Sequence, residues 1–154
     1  MHDDAHRDAP PPQTAESAER PLHLRLSFIL LVFCGGALGT AARQGLILLF
    51  PSASDVPWII FAINIIGAFL LGMLLESLLR RGSDTGRRRI TRLLFGTGFL
   101  GGFTTYSALA VDTVHLADHG TVAILYSVGS VILGLLAAFT GILLGAALHR
   151  DPRS

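Results

Sequence analysis

The chain has 154 residues, of which 51% are hydrophobic and 15% charged, with a mean hydropathy of +0.56, which excludes an ordinary soluble domain. One cysteine, Cys34, excludes an intramolecular disulfide and a thiolate metal centre. The charged residues are segregated between long apolar runs whose short connections leave no room for a soluble catalytic domain.

Residues 1–23 are rich in Asp, Ala, Pro and Glu, with Pro10-Pro11-Pro12 at the centre and no apolar periodicity. They predict a disordered cytoplasmic tail. The acidic leader and the apolar continuation to Phe50 argue against a cleavable signal peptide. A single transmembrane domain is then expected over 24–149, followed by a short cytoplasmic tail at 150–154. Four apolar runs fill that domain: Leu26–Phe50, Trp58–Leu79, Ile90–Val114 and Val122–Leu148. Each reaches the ~20 residues that an α-helix needs to cross ~30 Å of hydrocarbon.

All twelve basic side chains are arginine. Arg7, Arg20 and Arg25 precede the first run; Arg80, Arg81, Arg87, Arg88, Arg89 and Arg92 flank the second connection; Arg150 and Arg153 follow the fourth run. The opposite loops hold Asp55, Asp112 and Asp118 and no arginine. The positive-inside rule therefore places both termini in the cytoplasm. Trp58, after Pro57, suits the outer interface as an aromatic anchor.

In the first run Arg43 is the one charge far inside a span. A central arginine costs ~2.5–3.5 kcal/mol on insertion scales. It either serves a vestibule or structural hydrogen-bonding role or snorkels to the outer interface. Gly35-x-x-x-Gly39, and Gly141-x-x-x-Gly145 in the fourth run, have the small-residue spacing of close helix packing. Asn64 is the one amide of the second run; it reads either as interhelical glue or as a donor facing an anion. Glu76 is too shallow for a proton-coupled exporter and has Arg80 as an i,i+4 partner.

The third run contains Gly96-Thr97-Gly98-Phe99-Leu100-Gly101-Gly102-Phe103-Thr104-Thr105-Tyr106-Ser107. This density of glycine and hydroxyl residues predicts a broken helix, which lipid tolerates only where the backbone is buried in protein or lines an ion or substrate site. Unwound carbonyls there can coordinate a cation, and Thr105 and Ser107 can donate to an anion. A glycine-rich packing surface is the bland alternative. In the fourth run Tyr126, Ser127, Ser130 and Thr140 add hydroxyls, of which Ser130 has a face-compatible position. The six histidines lack metal-ligand spacing, and no paired carboxylates or Ser-His-Asp arrangement points to an enzyme.

Three of these stretches resemble the small fluoride channels of the Fluc or CrcB family. They are Gly35-Gly36-Ala37-Leu38-Gly39 through Arg43, Asn64-Ile65-Ile66-Gly67-Ala68-Phe69-Leu70-Leu71-Gly72, and Gly98 to Ser107. The resemblance covers about residues 26–148 and implies an all-α integral membrane protein of four transmembrane helices, the third broken, forming an antiparallel dimer. It implies two narrow fluoride pathways and a central structural sodium ion, not itself transported, on the backbone carbonyls of Gly101 and Thr104. Asn64, Thr105, Tyr106, Ser107 and Leu109 carry over to the pathway; Ser130 joins them by its face-compatible position, and Arg43 keeps the vestibule or structural role read from its place in the first run. Fluoride that enters as neutral HF ionises inside and leaves passively down its electrochemical gradient.

Two departures from the family pattern stand out. Its two fluoride-facing phenylalanines correspond here to Tyr106 and Leu109, with Ala108 in place of the intervening threonine. Eleven arginines on one side and none on the other also disfavour dual insertion of one sequence. Pairing with an oppositely oriented paralogue, rather than with itself, accommodates both. A non-conducting subunit that pairs with a conducting paralogue is the alternative function.

Overall fold

The computed structural model describes residues 26–51 and 56–149. The tails at 1–23 and 150–154, their arginines and Asp55 lie outside the described residues.

The described chain is all helical. Helix α1 spans Leu26–Leu49 and α2 spans Trp58–Arg80. The third run begins with α3 (Gly86–Thr91), continues as a π-helix (Arg92–Leu100), and closes its first half with α4 (Gly101–Phe103). Thr104 and Thr105 are extended, and α5 covers Tyr106–His115. A 3₁₀ turn (Ala117–His119) leads into α6 (Gly120–Ala147). Four stretches are long and apolar enough to cross a membrane: Leu26–Leu49, Trp58–Arg80, Gly86–His115 and Ala117–Ala147.

Packing follows the glycines. α1 lies against the π-helix and α4, and α2 against α6. A Cβ placed on Gly35 would overlap the Leu94 carbonyl, one on Gly39 the Phe99 carbonyl, and one on Gly102 the Gly36 carbonyl. On the other side, Gly141 meets the Phe69 carbonyl and Gly72 the Ala138 carbonyl. Backbone-to-backbone approach of this kind gains dispersion contact where lipid removes the hydrophobic drive between helices. Both small-residue motifs of the first and fourth runs are therefore packing seams. The same is true of Gly98, whose added Cβ would lie 2.9 Å from the Val32 carbonyl and 3.0 Å from the Gly35 Cα. Part of the third-run glycine stretch thus serves packing rather than a site.

Buried apolar side chains form two small clusters. Ile63, Leu100 and Phe103 hold the middle, and Leu109, Leu116, Ala123 and Tyr126 hold one end with Phe61 against them. Large apolar residues elsewhere point outward, Phe33 at 70% exposure and Leu135 at 71% among them. A surface that apolar suits lipid or a second protein rather than water.

At the arginine-rich end, Glu76 accepts from Arg80 at 2.6 Å, the pairing expected at i,i+4. Positive φ at Gly82 (110°) and Gly86 (53°) shapes the turn from α2 to α3. Asp84 in that turn accepts from Arg92 at 2.7 and 3.1 Å, with Arg89 at 3.6 Å. The Arg92 hydrogen bond holds the Asp84 carboxyl below the usual range, against a smaller opposing effect of desolvation. Because the folded value is depressed, the stabilisation is present above the ordinary value of 3.8 and fades as pH falls below it. Asp84→Asn should lower stability at neutral pH by less than ~1 kcal/mol, as for an exposed pair. Melting curves of the two proteins should converge in acid; a gap that widens there would refute the assignment.

Candidate functional site

The site is built where the third run loses its helical backbone. Thr104 has φ −77° and ψ 155°, and Thr105 has φ −152° and ψ 120°. Such a change strips backbone groups of their partners, and each must be satisfied or hydrated. The Thr104 amide and hydroxyl both donate to the Leu100 carbonyl, at 2.9 and 2.8 Å. The Thr105 amide donates sideways to Asn64 Oδ1 at 2.8 Å, and Asn64 Nδ2 donates back to the Thr105 carbonyl at 3.2 Å. Thr105 Oγ1 then caps α5 by accepting from the Ala108 amide at 3.2 Å, with Ser107 Oγ 3.1 Å away.

Asn64 is therefore a reciprocal clamp on Thr105 across two helices. That realises the interhelical-glue reading and leaves one Nδ2 hydrogen for a further acceptor. The clamp also has a consequence for Gly101. The Thr105 amide, four residues on, is the group that would bond the Gly101 carbonyl in a continued α-helix. It is turned instead to Asn64, while the Thr104 amide keeps its ordinary helical acceptor, the Leu100 carbonyl. Gly101 is exposed, and nothing beyond the adjacent residues and the helix's own backbone lies within 4 Å of the place a Cβ would take. The Gly102 carbonyl accepts weakly from Thr40 Oγ1 at 3.4 Å.

An open depression of about 270 Å³ gathers Asn64, Thr104, Thr105, Tyr106, Leu109 and Ser130. Of the residues expected on the pathway, Ser107 is not in its wall; it is exposed beside Thr105. A second depression of about 460 Å³ shares Tyr106, Leu109 and Val131 and extends past Thr113 and Ser127. Tyr106 is 81% exposed, its ring unburied by the rest of the chain, whereas Leu109 at 8% is mainly a core side chain with one face in the wall. Ser130 is buried and donates to the Tyr126 carbonyl at 2.6 Å. Ser127, Thr113 and Thr140 likewise donate to the carbonyl four residues back. Their protons are engaged within their own helices, so they present lone pairs to the outside unless they rotate.

Arg43 stands apart from this depression, half-buried, and its Nε is buried without a hydrogen-bond partner among the described residues. Two features were not legible beforehand. The π-helix gives no periodic signal over only nine residues. Asp112, expected in an outer loop, lies in α5, where Tyr126 Oη donates to it at 3.1 Å. The tyrosine was visible in sequence; its partner, fourteen residues away, was not.

Four apolar spans, the third with an unwound stretch at Thr104 and Thr105, define a multi-pass helical membrane protein with an open depression at that stretch. The family model described as CrcB-like protein, Camphor Resistance (CrcB), matches residues 30–142, and the chain belongs to that family. A protein named Fluoride-specific ion channel FluC 2 from Leifsonia xyli subsp. xyli is 55% identical over 130 residues, covering 83% of this chain and 90% of the relative. One named Fluoride-specific ion channel FluC 1 from Cutibacterium acnes is 49% identical over 112 residues, 71% of this chain and 78% of the relative. A Thermus thermophilus protein named Fluoride-specific ion channel FluC is 43% identical over 123 residues, 77% and 95% respectively.

Proposed function

We propose that this chain forms a passive fluoride channel of the cell membrane, with both termini in the cytoplasm. The observation that carries the reading is the depression in which Asn64, Thr105 and Tyr106 stand together at the unwound stretch of the third span, in a chain whose relatives carry fluoride-channel names. A small, strongly hydrated anion needs donors that replace water at close range. The remaining Nδ2 hydrogen of Asn64, the Tyr106 ring edge and hydroxyl, and the hydroxyls of Thr105 and Ser107 are such groups. Leu109 contributes an apolar wall, and Ser130 a lone pair or, after rotation, a proton.

The residues suit a structural sodium ion at Gly101 and Thr104. The Gly101 carbonyl has lost its helical donor, the Thr105 amide, and the extended backbone at Thr104 turns its carbonyl away from the helix. Neutral oxygens of this kind suit a hard monovalent cation, which would fix the unwound backbone by its charge. Two carbonyls from one chain do not complete a shell. An antiparallel partner would supply a second pair, and the exposed Gly101 supports that assembly.

A second reading rests on charge. The described arginines other than Arg43 sit at one end, and the Arg81–His149 hydrogen bond of 3.0 Å brings the end of α6 to that same end. One-sided charge favours one orientation, and so favours an oppositely inserted paralogue, with this chain conducting or serving as a non-conducting subunit. Fluoride efflux from liposomes holding this chain alone, with sodium present and chloride as control, tests the proposal. Fast fluoride-selective efflux is expected of a self-sufficient channel. Silence alone, with efflux restored by the paralogue, would establish the paired form; silence in both would refute the fluoride reading.

A further inference from the structure

At the arginine-rich end a third depression, of about 580 Å³, opens between α2, the 81–85 turn, α3 and α6, away from the unwound stretch. Its two halves differ in chemistry. One half is apolar, with Leu75, Leu79 and Ile142, which are 40%, 73% and 40% exposed. The other is a polar rim carrying Arg88 and Arg92 together with Glu76 and Asp84. Both carboxylates are already engaged, Glu76 by Arg80 and Asp84 by Arg92 and Arg89. The rim's own charges balance, but Arg80 and Arg89, which pair with its carboxylates from outside the lining, bring the immediate surroundings to an excess of two positive charges.

Arg88 presents its positive charge to the depression in a fixed orientation. Its Nε donates to the Ser83 carbonyl at 2.9 Å and its Nη1 to the Arg81 carbonyl, so the turn holds the guanidinium rigid. No carboxylate lies within ion-pair range of it among the described residues, and its Nη2 edge is unspent. Arg87, one residue before it, is exposed and likewise has no acidic partner among the described residues. A planar fork with free donors, held in place beforehand, is the geometry that recognises phosphate oxygens.

We propose that this depression binds an anionic phospholipid, the phosphate on the Arg88 edge and an acyl chain along Leu75, Leu79 and Ile142. A free phosphate would use the rim but leave the apolar half bare. A zwitterionic lipid would fill the apolar half, but its own cation would offset the excess charge. Basic pockets between spans on the positive side are favourable places for acidic headgroups.

The test is native mass spectrometry of the purified full-length chain, titrated with phosphatidylglycerol or with phosphatidylcholine of identical acyl chains. The anionic lipid should remain bound at about tenfold lower concentration. That preference should disappear in Arg88→Gln, which also loosens the turn. It should disappear equally in Ile142→Trp, which fills the apolar half and leaves every arginine in place. Equal retention of the two lipids, or a preference that survives Ile142→Trp in a folded protein, would overturn the site. Displacement of the bound lipid by inorganic phosphate would overturn it too, by assigning the rim to a free anion.

Discussion

Replacing Asn64 by leucine is expected to lower both the stability of the protein and its fluoride flux. The side chain holds the Thr105 amide at 2.8 Å and the Thr105 carbonyl at 3.2 Å, and leucine offers neither partner. A buried polar group left without its hydrogen bond costs ~1–3 kcal/mol, and two are orphaned, so the loss should be about 2–5 kcal/mol. Access of water through the open depression places the value toward the lower end. The expected effect on flux has a separate origin. A hydrogen bond to a charged partner contributes ~1.5–3 kcal/mol, so loss of the amide donor should slow fluoride by about ten- to a hundredfold. Thermal unfolding in detergent and efflux per folded channel separate the two roles. Slowed efflux with an unchanged melting curve would leave only the donor role. A lowered melting temperature with full efflux from the protein that remains folded would leave only the clamp. No change in either would remove Asn64 from the site.

The contrast between what Asn64 displays in sequence and what it does in the fold is instructive. A single carboxamide in an apolar run must have a partner, and that much follows from its chemistry. Which partner depends on how α2 faces the third run, which no local pattern encodes. The four apolar spans were readable because run length is a one-dimensional property, and the Glu76–Arg80 pair because i,i+4 geometry is local. The third run was harder. Gly98 and Gly102 have the same four-residue spacing as Gly35 and Gly39, and both take part in the α1 contact. Gly101 lies between them and makes no such contact. Hydroxyls tell a similar story: Ser130 lines the depression, but its proton is directed to Tyr126. A sequence reports that a donor exists, while the competition for its proton is decided by the helix that carries it.

Gly39→Ala should be the most damaging single-methyl change in the described chain, and Gly45→Ala in the same helix should be harmless or mildly stabilising. Both positions are helical, so alanine is favoured intrinsically at each by ~0.8–1.0 kcal/mol. Only the surroundings differ. At Gly45 nothing beyond the adjacent residues and the helix's own backbone lies within 4 Å of the added Cβ, so the propensity gain stands alone. At Gly39 the Cβ overlaps the Phe99 carbonyl and comes within 2.9 Å of the Phe103 amide nitrogen. These are backbone atoms, which cannot swing aside as a side-chain tip can. Overpacking typically costs ~1–3 kcal/mol and more where the neighbours are rigid, which exceeds the propensity gain. The displaced segment is also the one that carries Gly101 and the unwound Thr104 and Thr105 into the site. Moving α1 outward by a fraction of an ångström would therefore disturb the depression from behind, without touching any residue in its wall. Gly39→Ala should melt several degrees lower and lose flux even in the fraction that folds, and Gly45→Ala should keep both. Equal melting temperatures for the two variants would show that the α1 seam is looser than the backbone contacts at Gly39 require.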